Sequence, residues 1–285
     1  MSPTLATRTA VDPIGSAFTK ARSDRRTAFI AYLVAGYPSA EGAFRAAQAA
    51  LDAGTDILEI GVPFSDPMAD GPVIAAASRA SLAGGGGLEG AMDLARRLRE
   101  HGIPQPLMAM SYLNPLIARG SGRALQALAS SGIDGLIVPD LPAGEDPAFE
   151  REVAVRGLRI AFLVAPNTPP ARIERAIAAS TAFLYVVPLL GVTGTRHSLA
   201  DGALELIDRV AQISAGRVPI VAGFGISSAS HVARLGSVAD GVVVGSALVR
   251  ALAGDDQGDG VERLRSLVAE LTGRTQPLHA TVTAT

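Results

Sequence analysis

The sequence predicts an α/β fold, a single-domain (β/α)8 TIM barrel, and three observations carry that prediction. Eight short aliphatic and β-branched runs alternate with alanine-rich stretches from end to end, at 28–35, 56–60, 106–110, 135–138, 159–164, 183–187, 219–222 and 241–244. The runs are continuously apolar rather than alternating, as strands are when a parallel sheet is covered on both faces. A weak internal repeat recurs at 52–60, 130–138 and 237–244, where an aspartate precedes an apolar strand. In the first two copies the preceding helix ends on a glycine, which tolerates the left-handed cap conformation.

Between the runs lie helical stretches, for example 42–53, 88–100, 122–130, 171–179 and 204–213. Eight strand–helix units in one uninterrupted stretch of about 250 residues favour the closed barrel. An open doubly wound sheet is the structural runner-up. The catalytic domain is expected over 12–273, with loose termini at 1–11 and 274–285. The chain has 285 residues, enough to bury a large core.

Composition removes several function classes. There is no cysteine, so thiolate nucleophiles, disulfides and zinc–cysteine sites are excluded. Of the 25 basic residues only Lys20 is a lysine, and the other 24 are arginines, which cannot form a Schiff base. His101, His197, His231 and His279 are far apart and have no metal-ligand spacing, so no metal is expected. A net charge of −2 with few aromatics argues against nucleic-acid binding. No apolar stretch approaches a membrane span and the N-terminus lacks a continuous h-region, so a cytoplasmic enzyme is expected.

In a barrel of this kind chemistry sits where strands end and βα-loops begin. Strand alternation places Glu59 on the face opposite Leu58 and Ile60. If those two meet the helix layer, Glu59 points into the barrel mouth, where desolvation makes it usable as both acid and base. The loop that follows carries Ser65, Asp66 and Asp70. On spacing alone Asp66 and Asp70 read equally well as turn or cap residues.

Three glycine loops look like a phosphate cradle: Gly191 to Gly194 after strand 6, Gly223 to Ser227 after strand 7, and Gly245-Ser246-Ala247 after strand 8. Glycines let main-chain N–H groups approach an anion, and a helix N-terminus adds a favourable dipole. The last two occupy the standard phosphate position of the fold. Tyr32, Phe64, Tyr112, Tyr185 and Phe224 fall at or near strand C-termini. Each alone is readable as core; together they would line a flat apolar slot between the carboxylates and the cradle.

These motifs resemble a known family, the alpha subunit of tryptophan synthase. Residues 58–71, Leu-Glu-Ile-Gly-Val-Pro-Phe-Ser-Asp-Pro-Met-Ala-Asp-Gly, match that family's signature throughout. The likeness continues through Ala35-Gly-Tyr-Pro38, Met110-Ser-Tyr-Leu-Asn-Pro115, Val138-Pro-Asp-Leu-Pro142 and Ala165-Pro-Asn-Thr168 to the three glycine loops.

The resemblance implies cleavage of indole-3-glycerol phosphate to indole and glyceraldehyde 3-phosphate, with no metal or organic cofactor in this chain. It implies a PLP-dependent beta subunit as partner, in an alpha2beta2 heterotetramer. It maps the catalytic glutamate onto Glu59, the aspartate that holds the indole N–H onto Asp70, and an active-site tyrosine onto Tyr185. Thr193 would order against Asp70, and Gly194, Gly223, Gly225, Gly245 and Ser246 would bind phosphate. Pro188 replaces a serine common in the family, and the acids after Pro142 are shifted by one residue.

The residue counts point the same way. Neither a lysine nor a metal cluster falls on a strand end, and ring protonation lets a carboxylic acid and a carboxylate suffice for carbon–carbon cleavage. Three other readings remain open on the sequence. They are a free-standing indole-3-glycerol phosphate lyase, a glycoside hydrolase with paired carboxylates, and a catalytically silent regulator of a partner.

Overall fold

Eight parallel strands close into a barrel in chain order, with β8 hydrogen-bonded back to β1. They are β1 (Ala28–Val34), β2 (Ile57–Gly61), β3 (Leu107–Met110), β4 (Gly135–Ile137), β5 (Arg159–Val164), β6 (Leu184–Val186), β7 (Ile220–Gly223) and β8 (Gly241–Val244). This computed structural model describes residues 12–118, 120–187, 196–223, 225–226, 228–254 and 259–274, with the side chains of 196–201 outside that set. The open-sheet alternative is thereby excluded.

Strand ends differ from the apolar runs by up to a residue or so. Gly61 and Gly223 belong to the ladder although neither is apolar in the ordinary sense, whereas Ala35 leaves it. Main-chain pairing, not side-chain hydrophobicity, sets where a strand stops.

Two buried clusters divide the molecule into layers. The outer one joins Leu58, Ile60, Leu107, Leu136, Phe162 and Val242 to the surrounding helices. The inner one contains Ile30, Tyr32, Ile57, Met108, Ile137, Ala161, Tyr185, Val221 and Val243, which fill the barrel itself. Alternation along every strand therefore sends one set outward and the other inward. The expected condition for Glu59 is met, since Leu58 and Ile60 face the helices.

Helix α1 (Pro13–Ser23) was not among the helical stretches expected from the sequence. Asp12 caps it by accepting the Gly15 N–H at 3.1 Å, and Pro13 opens it. Ile14, Phe18 and Ala21 join the inner cluster, where Phe18 meets Phe183 with ring centroids 5.8 Å apart. The helix thus plugs the end of the barrel where the strands begin. Lys20 lies on it, exposed and paired with Asp24 at 3.2 Å, at the opposite end from the strand C-termini.

The repeated aspartate has a structural task. Asp56 accepts the Phe29 N–H at 2.9 Å, Asp134 the Leu107 N–H at 2.8 Å, and Asp240 the Ile220 N–H at 2.9 Å. Thr181 does the same for Ile160 at 2.9 Å. In each case a side chain just before an even-numbered strand takes up an N–H at the start of the preceding odd-numbered strand. Arginines complete three of the four sites: Arg26 on Asp56, Arg99 on Asp134 and Arg22 on Asp240.

Asp56 is the most enclosed of the three. It receives two hydrogen bonds from Arg26 and a longer contact from Arg274 at 3.5 Å. Arg274, the first residue of the expected loose tail, also donates to the Gly54 carbonyl at 2.9 Å. Residues 1–11 and 275–285 lie outside the described set. Removing the shared acceptor should strand an amide and two guanidinium groups. Asp56→Ala is expected to lower stability by about 3 kcal/mol, read as a fall in Tm of roughly 6–12 °C. A fall below 2 °C would show that the clamp is redundant.

Candidate active site

Glu59 is the central residue of β2, paired with Tyr32 on one side and Met108 on the other. Its side chain is fully buried, and neither carboxylate oxygen has a hydrogen-bond partner among the described residues. An unpartnered buried charge is costly, so burial, reinforced by the nearby Asp70, pushes the Glu59 carboxyl up to about 8. At neutral pH it is a carboxylic acid holding a proton inside the barrel mouth. No structural partner accounts for it, which is the mark of a working group.

Asp70 ends the loop that leaves β2. The loop folds on itself, with Met68 N–H donating to Asp66 O at 2.9 Å and Asp70 N–H to Pro67 O at 3.1 Å. Asp66 is exposed and accepts the Ser65 hydroxyl, so for Asp66 the turn reading holds. Asp70 differs. The helix that follows, α3 (Pro72–Ala83), has Gly71 at its N-cap and no side-chain cap, so Asp70 is not a capping residue. Half-burial lifts its carboxyl to about 6. Two carboxyls near one another therefore have separated affinities for a proton, with Glu59 the acid and Asp70 the anion near pH 7.

Tyrosines enclose the pair. Tyr32 and Tyr185 are buried and face inward, and burial, together with the charges of Glu59 and Asp70, pushes both phenols up. Their rings rest directly on glycine main chain. A Cβ at Gly61 would lie 2.2 Å from the Tyr32 hydroxyl, one at Gly245 3.1 Å from the Tyr32 ring, and one at Gly223 2.5 Å from the Tyr185 ring. These glycines supply the space that the aromatic rings occupy. Tyr112, at the end of β3, packs against Phe64 with ring centroids 5.2 Å apart.

Of the remaining expected residues, those the structure describes fall on the same rim. Gly223 ends β7, and Gly225 has φ +75°, a conformation that suits glycine. Gly245 precedes the short helix α11 (Ser246–Ala251), which Ser246 opens. Thr193, Gly194 and Phe224, and with them Pro188, lie outside the described residues. Among the described residues no group of three or more His, Asp or Glu side chains could hold a metal ion.

Helix α3 was not foreseen, and it organises the rim. It runs from Asp70 across the top of β1 and packs against α11. Val73, Ile74 and Ala77 extend the inner cluster above Tyr32. Its far end is pinned where the buried Ser81 hydroxyl donates to Ala35 O at 2.6 Å. A Cβ at Gly36 or Gly86 would strike that hydroxyl, which is why glycine stands at both. Gly36 was visible within the Ala35–Pro38 motif, but nothing local tied it to Ser81.

The chain matches the family described as tryptophan synthase alpha chain over residues 18–276. A tryptophan synthase alpha chain from Roseiflexus castenholzii is 41% identical over 260 residues, covering 91% of this chain and 99% of that one. Its counterpart from Deinococcus radiodurans is 40% identical over 252 residues, covering 88% and 92%. Among solved structures, tryptophan synthase from M. tuberculosis superposes with a TM-score of 0.82 at 34% identity, covering 93% of this chain and all of that one. The alpha subunit from Legionella pneumophila gives a TM-score of 0.83 at 29% identity, covering 93% and 98%. With the barrel, the paired carboxyls and the glycine rim in place, this agreement over nearly the full length establishes that the chain belongs to the tryptophan synthase alpha chain family.

Proposed function

We propose that this chain is the alpha subunit of tryptophan synthase and cleaves indole-3-glycerol phosphate in tryptophan biosynthesis, passing indole to a PLP-dependent beta subunit. The observation that carries the reading is Glu59, a fully buried carboxyl without a partner, held protonated near neutrality beside an ionised Asp70. The catalytic unit spans 12–273, and the enzyme works in the cytoplasm as an alpha2beta2 heterotetramer. No helix among the described residues is long and apolar enough to cross a membrane.

The chemistry follows from that pair. Glu59 gives its proton to C3 of the indole ring, while the Asp70 carboxylate accepts a hydrogen bond from the ring N–H and stabilises the positive charge that develops there. Glu59, now a carboxylate, removes the proton from the hydroxyl on the carbon attached to C3. That carbon becomes the aldehyde as its bond to the ring breaks, and the bonding electrons return to the indole. One proton enters and one leaves through the same carboxyl, so Glu59 ends as it began.

Tyr32, Phe64, Tyr112, Tyr185 and Phe224 provide apolar walls for the indole. Thr193 is assigned to substrate binding on the family resemblance alone. Main-chain N–H groups at Gly194, Gly223, Gly225 and Gly245, with Ser246, hold the phosphate.

The test is indole release by the purified chain, with and without a beta subunit, across pH. Activity needs Asp70 ionised and Glu59 protonated, so kcat/KM should rise through about pH 6 and fall through about pH 8. Added beta subunit should stimulate it strongly. No indole release in the presence of the partner would overturn the proposal. High turnover indifferent to the partner would instead mark a free-standing lyase.

A further inference from the structure

A well-anchored side chain, that of Tyr112, helps to hold the loop from β2 to Asp70 to the barrel. Tyr112 stands at the N-cap of α5 (Leu113–Ile117), directly after β3. Its hydroxyl accepts the Ala69 N–H at 2.8 Å, one residue before Asp70. Its ring packs on Phe64, near the start of the same loop. Thus one residue touches the loop at both ends.

Tyr112 is itself fixed from below. The Ser111 N–H donates to Ile137 O of β4 at 3.0 Å, and the Leu113 N–H donates to the Asp140 carboxylate at 2.9 Å. Only 5% of Tyr112 is exposed, so its ring has little room to move. The main chain beside it is therefore tied to β4 and to the loop that follows β4. A hydroxyl that accepts from an amide keeps its own proton for donation. The charge of Asp70 is felt at this phenol, which burial and Asp70 together push up to about 12, so it stays neutral throughout the working range.

We propose that Tyr112 is a positioning residue for Asp70, its hydroxyl fixing the Ala69 amide so that the Asp70 carboxylate is presented to the substrate's ring N–H. This goes beyond the aromatic-wall role and rests on the proposed lyase reaction. The ring and the hydroxyl then have separable tasks. Tyr112→Phe keeps the packing on Phe64 and deletes only the acceptor.

The experiment measures indole formation from indole-3-glycerol phosphate by the complex with its beta subunit, for wild type, Tyr112→Phe and Asp70→Asn. Tyr112→Phe is expected to lower kcat about 10- to 30-fold with KM changed less than threefold. The acidic limb of its pH profile should move below that of wild type, because a loosened Asp70 regains water. Amide exchange at Ala69, followed by mass spectrometry or NMR, should accelerate at least tenfold while Tm changes by less than about 3 °C.

If Asp70→Asn abolishes turnover but Tyr112→Phe keeps wild-type kcat and Ala69 protection, the positioning role is wrong and the lyase assignment stands. If Asp70→Asn is fully active, the assignment of Asp70 fails first. If Tyr112→Phe loses more than about 10 °C in Tm, its hydroxyl is a general support of the fold and the specific role is overturned.

Discussion

Glu59→Gln is expected to lower turnover by about 10³-fold or more while making the folded protein more stable at alkaline pH. Both effects come from one property of the site. The amide is nearly the shape of the protonated acid, so packing within the inner cluster is preserved and substrate affinity should change only a few-fold. An amide can neither give a proton to the indole ring nor take one from the hydroxyl, and general acid–base steps of this kind contribute about 10²–10⁴ each.

The stability effect has a definite sign. The Glu59 carboxyl titrates near 8 in the folded state, against an ordinary value of 4.5. Between those two pH values the unfolded chain loses its proton while the folded chain keeps it. Wild-type stability therefore falls across that window, and the loss is complete above the upper value. Glutamine is neutral throughout and has no such loss. At pH 9 the variant should be more stable by about 3 kcal/mol, or roughly 6–12 °C in Tm. At pH 5 the two proteins should melt within a degree or two of each other. Activity within tenfold of wild type, or a Tm difference that is flat with pH, would falsify the placement of a buried acid at the centre of the reaction.

The legibility of this site in the sequence varied with the range of the interactions that build it. Glu59 was readable because strand alternation is local: a carboxylate between Leu58 and Ile60 has only one face to occupy. The barrel was readable for the same reason, since continuous apolar runs separated by helical stretches describe the sheet and its cover together. The aspartates of the internal repeat were visible as a pattern, but their task was not. Whether Asp56 reaches the Phe29 amide depends on the register of β2 against β1, which no local spacing encodes.

The same limit hid the supports of Asp70. Ser81 meets Ala35 across 46 residues and Tyr112 meets Ala69 across 43, and a serine in an alanine-rich helix carries no advance sign of either contact. Plug helix α1 did leave a signal, the Asp12-Pro13 start, in a segment whose weak amphipathicity made it easy to pass over. The glycines of the rim carry a spatial task that was not legible in the sequence. Gly61, Gly223 and Gly245 each leave space for a tyrosine ring, a requirement that exists only once β-strands have brought ring and main chain together.

Gly223 tests that distinction most sharply, and Gly223→Ala is expected to reduce kcat/KM about 100-fold. A Cβ there would sit 2.5–2.7 Å from three atoms of the Tyr185 phenol. The main chain cannot yield easily, because Gly223 is paired with Val243 while β6 holds the other side of β7. Tyr185 must therefore turn out of its inward position, at an overpacking cost of about 1–3 kcal/mol. If the added Cβ chiefly disturbed the proposed contact of the Gly223 N–H with phosphate, the loss would appear in KM and in the affinity for glycerol 3-phosphate. As the floor beneath Tyr185, it should appear mainly in kcat, with phosphate affinity changed less than threefold. Adding Tyr185→Leu to the variant removes the clashing atoms and should restore Tm without restoring turnover. Recovery of both would show that the ring is not needed for the reaction; recovery of neither would place the strain in the main chain of β7. Stability and activity separate in this double variant because glycine serves the fold by what it omits, and the reaction by what that omission lets in.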